Sequence, residues 1–357
     1  MYFTPEPKTD AKDLFGIDFT LRQAVSLLQA PSTRLIVIKG LRRTGKTSLL
    51  NVALKESGLD YVKLDVRESP YHDQQEFLLF AVGKIQEKLG KPLLQRILDR
   101  ASGVEVGYGE ASATIFFLKD KNIQSFFSSL NMELARKKKV LIIAIDEVQL
   151  LKNIRFDYLV ASIFDNYKNI KLIVTGSEIG LVDAFLGKQN YDAPLFGRAF
   201  GEIELKKLTS EEAMRFLSEG CIQIRQKISF LEMKEVVDNL DGIIGWTSFY
   251  GWLRSQGTNH KKALERVIED GKAVALRELQ HFLGSRRAKQ KYLKILRYFS
   301  QGQNTWNELR LSFSKDKVKL TESQLGLYLN ELQSYGFIEK IDVKYYISDP
   351  LLAKATK

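Results

Sequence analysis

The chain of 357 residues is 44% hydrophobic and 27% charged, with a formal net charge of +11; that balance excludes a disordered or fibrous protein and leaves room for two or three packed cores. One cysteine, Cys221, and three dispersed histidines, His72, His260 and His281, give neither a disulfide framework nor ligand spacing for a zinc site. No apolar run approaches the length of a membrane span and the first residues lack a basic-then-apolar leader, so a cytoplasmic protein with no membrane contact is expected.

In chain order, residues 34–39 (RLIVIK) read as a buried strand, 46–56 as a helix and 59–65 as a second strand. A Phe- and Leu-rich helix is expected at about 74–89, then a β-hairpin over 104–117 with Gly107 and Gly109 as breakers. A helix at about 122–136 leads to the apolar strand 140–145. A helix near 156–167, the strand 171–175, a short helix and the strand 201–205 follow. Continuous apolar strands joined by helical crossovers imply an α/β fold whose parallel sheet is covered on both faces; this unit is placed at 1–207. From Leu208 onward only helical patterns remain, opened by the start signal Thr209, Ser210, Glu211, Glu212, and a helical unit is expected at 208–284. The remainder, 285–357, combines helical stretches at 287–300, 305–311 and 321–335 with a closing pair of short strands, the element order of a winged helix.

The chemistry gathers where the first strand ends. Gly40-Leu41-Arg42-Arg43-Thr44-Gly45-Lys46-Thr47 fits GxxxxGK[ST] between a strand and a helix, the context a P-loop requires. Its glycines let backbone N–H groups curl around a phosphate, and the helix N-terminus, with Ser48 in its first turn, adds partial positive charge. Lys46 is expected to bridge the β- and γ-phosphates of a nucleoside triphosphate, ATP with magnesium, and the Thr47 hydroxyl to coordinate the metal. The apolar strand IIAI ends in Asp146 and Glu147. Asp146 suits the magnesium and Glu147 the attacking water as general base, against the plainer reading of two acids capping a strand. Thr175 ends the strand 171–175, where a hydroxyl would point at the phosphates across the sheet's carboxyl edge unless its own backbone satisfies it.

These features resemble the AAA+ superfamily, and more closely the archaeal ATPase family near the STAND ATPases. The resemblance rests on DLFG at 13–16, GLRRTGKTSLL at 40–50, IIAIDEVQLL at 142–151, LIVTGSEIG at 172–180 and PLFGR at 194–198. It implies a five-stranded nucleotide domain, a helical lid and a winged-helix end. A full set of hydrolytic residues joined to non-catalytic modules makes a switch driven by ATP and ADP the expected function. The resemblance further implies that Asp13, Leu14, Phe15 and Gly16 lie near the adenine, that Thr175 is the sensor of the γ-phosphate or water, and that Arg198 stands where an arginine finger is carried, acting in cis or in trans. An ordinary salt bridge is the alternative for Arg198. In GIIGWTSFYGWLR at 242–254, Ile244 occupies the place where the family usually has proline, and no lid residue is assigned to the nucleotide. Trp246, Phe249, Tyr250 and Trp252 read as core, and so does Cys221.

Residues 286–357 hold 14 Lys or Arg against 7 Asp or Glu. The third helical stretch, however, carries no Lys or Arg from 320 to 339, so phosphate attraction along it would be poor. DNA contact is therefore expected through Arg286, Arg287, Lys289, Lys291, Lys294 and the 315–319 turn, or else this end packs on the ATPase core or a partner protein. A DNA-binding regulator with a mainly structural nucleotide site is the alternative to the switch, and a homo-oligomer is open to either.

Overall fold

The computed structural model describes every residue except 69–72, 91–95, 98–99, 101–103, 109–112, 118–119, 189 and 285; His72 and the breaker Gly109 lie outside the described residues. The chain begins with a loop and helix α1 (Asp18–Gln29), then strand β1 (Leu35–Gly40), α2 (Lys46–Glu56), β2 (Asp60–Asp65) and α3 (Gln74–Leu89). The expected hairpin is β3 (Val104–Tyr108) with β4 (Ala113–Phe117), paired antiparallel. Then come α4 (Asp120–Arg136), β5 (Leu141–Asp146), α5 (Phe156–Asn166), β6 (Ile170–Gly176), α6 (Ile179–Phe185) and β7 (Gly201–Leu205).

Five of these strands form one sheet in the order β2-β5-β6-β1-β7, every pairing parallel. All six residues of β1 and of β5 are buried, which is why both read as unbroken apolar runs rather than alternating ones. Successive side chains of β1 leave to opposite faces. Leu35 and Val37 join a core with α3, α4 and α5; Ile36 and Ile38 join another with Ala24 and Leu28 of α1 and Leu49 to Leu54 of α2. Because β1 sits between β6 and β7 while β5 lies beyond β6, the loops after β1, β5 and β6 open side by side at the carboxyl edge, where ligands of such sheets bind.

Beyond Leu208 the chain is helical: α7 (Ser210–Gln223), α8 (Phe230–Leu240), α9 (Ile244–Ser255) and α10 (His260–Gly284). Thr209 and Glu212 form the capping box that the sequence signalled, and Ser229 with Glu232 forms another. Phe216, Leu217, Val236, Trp246, Tyr250 and Leu264 close the core of this unit, with Cys221 inside it. Next follow α11 (Lys289–Ser300), α12 (Trp306–Lys315), α13 (Glu322–Ser334), the antiparallel pair β8 (Ile338–Ile341) and β9 (Lys344–Ile347), and a short α14 (Pro350–Ala355). A bridge from Thr305 to Lys344 ties the start of α12 to this hairpin. Helix α10 serves two cores. Leu264 and Val267 pack in the helical unit, whereas Leu279, Phe282 and Leu283 pack with Ile295, Leu309 and Leu329 of the C-terminal elements. Helix α14 folds back between them, giving Leu351 to the first and Leu352 to the second. Among the described residues no helix is long and apolar enough to cross a membrane.

Candidate functional site: a P-loop at the carboxyl edge of the sheet

The loop after β1 is built around two glycines for two physical reasons. A Cβ on Gly40 would lie 2.4 Å from the carbonyl oxygen of Leu205 on the neighbouring strand, and Gly45 holds φ +95°, a conformation that L side chains rarely adopt. The backbone can therefore curl directly into the N-terminus of α2, an anion-binding arrangement. Lys46 is 5% exposed, and its ammonium donates to the Leu41 carbonyl at 2.7 Å. Burial pulls its pKa down to about 8, Arg42 and Arg43 pull in the same direction, and Glu147 and Asp146 oppose them. The Thr44 hydroxyl donates to the same carbonyl at 2.8 Å. With both groups turned inward on Leu41, the loop is drawn closed on itself.

Asp146, at the end of β5, is 0% exposed. The Thr47 hydroxyl donates to its Oδ2 at 3.0 Å and the Thr175 hydroxyl donates to its Oδ1; Lys63 and Arg67 stand 3.8 and 3.6 Å from Oδ2. Glu147 leaves the strand at φ +64°, a left-handed conformation costly for a non-glycine residue and frequent at functional sites. Its N–H donates to the Thr175 hydroxyl oxygen at 3.1 Å. Its carboxylate accepts from the Ser177 hydroxyl at 2.8 Å and the Gln149 amide at 2.6 Å. Burial pushes this carboxyl up, but Lys46, Gln149, Ser177 and Arg42 together outweigh burial and hold it below the usual range, so it is ionised at neutral pH.

Thr175 thus braces both acids through one hydroxyl, so it is not satisfied by its own backbone. Asp13, Leu14 and Phe15 border the same cavity as Lys46, Thr47, Ser48 and Glu147, a space of about 480 Å³. Gly16 is not on its wall, and the Phe15 ring is turned into the core of the helical unit, edge-on to Phe216 at 5.1 Å. Arg198 stands apart. It makes a two-pronged pair with Asp165 at 2.9 and 2.5 Å and donates to the Pro194 carbonyl. The register between β1 and β7 runs from Ile36–Gly201 to Gly40–Leu205. Arg198 therefore precedes the upstream end of that ladder while the P-loop leaves its downstream end, separated by about 13 Å of strand rise alone.

Sequence reasoning missed Ser177, Gln149, Lys63 and Arg67. Ser177 and Gln149 each lie two residues from an assigned one, and their polarity directly after buried strands was the available signal.

The P-loop's own arginines reach away from the sheet. Arg42 pairs with Glu178 at 2.6 Å and approaches Glu278 of α10 at 3.6 Å. Arg43 pairs with Glu278 at 2.7 Å, approaches Asp349 at 3.6 Å and stacks over Trp246 at 4.3 Å. Its carbonyl accepts the Gly245 N–H at 2.9 Å.

A family model described as an ATPase domain predominantly from Archaea matches residues 19–245, which span the P-loop, both acids, Thr175 and the first helices after the sheet. The chain belongs to this family of ATPases. Among solved structures it is similar to a Walker-type ATPase of Pyrococcus abyssi, 27% identical with a TM-score of 0.80, over 100% of this chain and 99% of that one. It also shares its fold with the ORC2 protein of Aeropyrum pernix in ADPNP–ADP complexes, at 14% identity and a TM-score of 0.63, covering 96% and 92% of the two chains. No curated protein matches the sequence. This ATPase is a P-loop protein of the AAA+ fold, with the archaeal family resemblance already present in its motifs.

Proposed function

We propose that this protein is a magnesium-dependent ATPase that works as a switch, its nucleotide state read by the lid and by the C-terminal elements. The observation that carries the switch is the pairing of Arg43 with Glu278 and Asp349. One residue of the phosphate-binding loop is bonded at once to α10 and to the cap of α14, so the loop cannot reshape around a triphosphate without loading both.

The chain's residues divide the hydrolytic work. Lys46 leaves the Leu41 carbonyl to meet the phosphates, and the N–H groups of residues 41–47 surround them. The donor set fits magnesium: a hydroxyl and a carboxylate already 3.0 Å apart, with no cluster of three acidic, histidine or cysteine ligands among the described residues to favour a softer or larger ion. Thr47 and Asp146 would hold that ion, which supplies charge neutralisation at the phosphates when bound. Glu147, ionised, takes the proton of the attacking water once its carboxylate turns from Ser177 and Gln149. Thr175 keeps the two acids in register. Spin labels on α3 and α12 test the switch. Distances should differ between ATP, held unhydrolysed in Glu147→Gln, and ADP, and the difference should shrink in Arg43→Ala. Identical distances in the two nucleotide states would remove the switch and leave only the ATPase.

The winged-helix reading of residues 285–357 has a second use, DNA binding, favoured by one observation. Lys291, Lys294, Arg297 and Lys357 line a groove of about 410 Å³ between α11 and the chain's end, whereas α13 packs toward α6, with Gly180 against Ser334. Charge reversal of Lys291 and Arg297 should weaken retardation of duplex DNA and flatten its salt dependence; retardation unchanged by that reversal excludes the groove.

A further inference from the structure

Strand β2 is the edge of the sheet beside β5, and its last residue, Asp65, stands in register with Asp146. The chain then makes one tight turn, Val66–Glu68, anchored in the core by Val66. Asp146 is thereby approached from both neighbouring strands. From the β6 side the Thr175 hydroxyl donates to Oδ1, and from the β2 side the guanidinium of Arg67 stands 3.6 Å from Oδ2, the oxygen to which Thr47 also donates. Arg67 borders the cavity together with Lys46, Thr47 and Glu147.

The guanidinium is oriented by Asp65. Its Nε and Nη2 groups donate to the two Asp65 oxygens at 2.9 and 2.7 Å, and the Arg67 backbone N–H donates to Oδ1 at 3.0 Å. These bonds hold the Asp65 carboxyl below the usual range. A fork fastened along one edge keeps its Nη1 group for a ligand, and the side chain is 53% exposed. Lys63, the other cation near Oδ2 at 3.8 Å, is fastened to Asn51 at 2.7 Å. An ion held by Thr47 and Asp146 would repel both cations. Lys63 then keeps a neutral partner in Asn51, whereas Arg67 can pivot on Asp65 toward a terminal phosphate. The P-loop's own arginines offer no substitute, because Glu178, Glu278 and Asp349 engage them.

We propose that Arg67 is a catalytic arginine acting in cis, its guanidinium aimed by Asp65 and meeting the γ-phosphoryl oxygens during hydrolysis. As the water oxygen bonds to the γ-phosphorus, one water proton passes to Glu147 and the bond to the β–γ bridging oxygen breaks, with its electron pair leaving on ADP. The negative charge spread over the γ-phosphoryl oxygens in that passage is what a guanidinium stabilises. Asp65 is a positioning residue, acting through Arg67. The proposal rests on the ATPase reading of the site and adds to it the residue that supplies positive charge to the transition state from the same chain.

Single-turnover hydrolysis of ATP, calorimetric affinity for ADP, and trapping of ADP with aluminium fluoride, an analogue of the phosphoryl group in transit, are measured for the wild type, Arg67→Ala, Arg67→Lys and Asp65→Asn. Hydrolysis should fall about a hundredfold or more in Arg67→Ala, and at least about tenfold in Arg67→Lys, which keeps the charge and loses the fork. Stable trapping should be lost in Arg67→Ala while ADP affinity stays within about twofold, because the contact forms only in the transition state. Asp65→Asn should slow hydrolysis less than Arg67→Ala does, and slow it no further when the two are combined. Wild-type hydrolysis or trapping in Arg67→Ala overturns the assignment. So does an ADP affinity that falls as far as the rate, which would leave Arg67 as a brace for Asp65. The defect should be the same at every protein concentration and unrelieved by mixing with Lys46→Ala; relief would place the arginine in a second copy and overturn its action in cis. A wild type that neither hydrolyses ATP nor traps ADP with aluminium fluoride defeats the ATPase reading itself, and this assignment with it.

Discussion

Lys46 is where the balance of forces in the site is most measurable. In the free protein its ammonium is buried against a single carbonyl and its pKa is drawn down to about 8; a bound triphosphate replaces that carbonyl with several negative charges and must raise it. Above about pH 8 the free protein holds Lys46 increasingly neutral while the complex keeps it charged, so binding takes up a proton and affinity falls as pH rises. Calorimetry in buffers of different ionisation heat at pH near 9 should show uptake approaching one proton per ATP, absent in Lys46→Met. Uptake of none in the wild type would mean that Lys46 does not meet the phosphates. For the free protein the same shift has a second sign. Between about 8 and the ordinary lysine value of 10.5 the folded chain holds fewer protons at this site than the unfolded one, so this group's contribution to stability grows as pH rises through that window.

Among the elements, one tight backbone contact lies where the helical unit follows β7. Leu208 donates its N–H to the Gly242 carbonyl at 3.0 Å, and Gly242 holds φ +67°, with a Cβ position only 2.0 Å from the Leu208 carbonyl oxygen. Gly242→Ala would incur both backbone strain and overlap, a loss on the order of 2 kcal/mol or more. Hydrogen exchange should then report weakened protection in α7 to α9 while β1 and β5 keep theirs, and equal protection everywhere would mean that the join carries no load.

The same elements explain what could be read in advance. Strands β1, β5 and β6 are buried on both faces and so announce themselves as apolar runs; the P-loop and the Asp146–Glu147 pair are contiguous and need only local spacing to be seen. The capping box at Thr209 is likewise local. Helix α1 was legible too, since Leu21, Ala24, Val25 and Leu28 recur at helical spacing and pack on one core, but it carries no motif and drew no reading. Helix α14 was missed because six residues show no period. Phe3 was illegible for a third reason: the glycines its ring packs against, Gly220 and Gly251, lie more than two hundred residues away in sequence, beyond any local pattern. Thr175 and Arg198 mark the boundary between these cases. The strand end placed Thr175 correctly at the carboxyl edge, whereas nothing local could tell that Arg198 lies at the opposite edge, paired with Asp165.

For the molecule as a whole, the placement of Arg198 bears on how many chains hydrolysis needs. A full strand length separates Arg198 from its own P-loop in this structure, farther than a guanidinium reaches, so we propose that a catalytic Arg198 serves a second copy. On that reading, turnover per chain rises with protein concentration, and Arg198→Ala loses roughly a thousandfold in rate while keeping its affinity for ATP. Mixing Arg198→Ala with Lys46→Ala then restores part of the activity, because the first retains an intact pocket and the second can lend its arginine. Full activity of Arg198→Ala at every concentration would leave it as the partner of Asp165 and nothing more.

The central claim, that this chain hydrolyses ATP with Glu147 as the base, is tested most directly by following labelled ATP mixed with excess protein and magnesium, in the wild type and in Glu147→Gln. The substitution keeps the shape and removes the proton acceptor, so the wild type should convert its bound ATP to ADP and phosphate, while Glu147→Gln binds ATP as well and converts it at least about a hundredfold more slowly. Conversion at the same rate in both, or bound ATP left intact by the wild type, would contradict it.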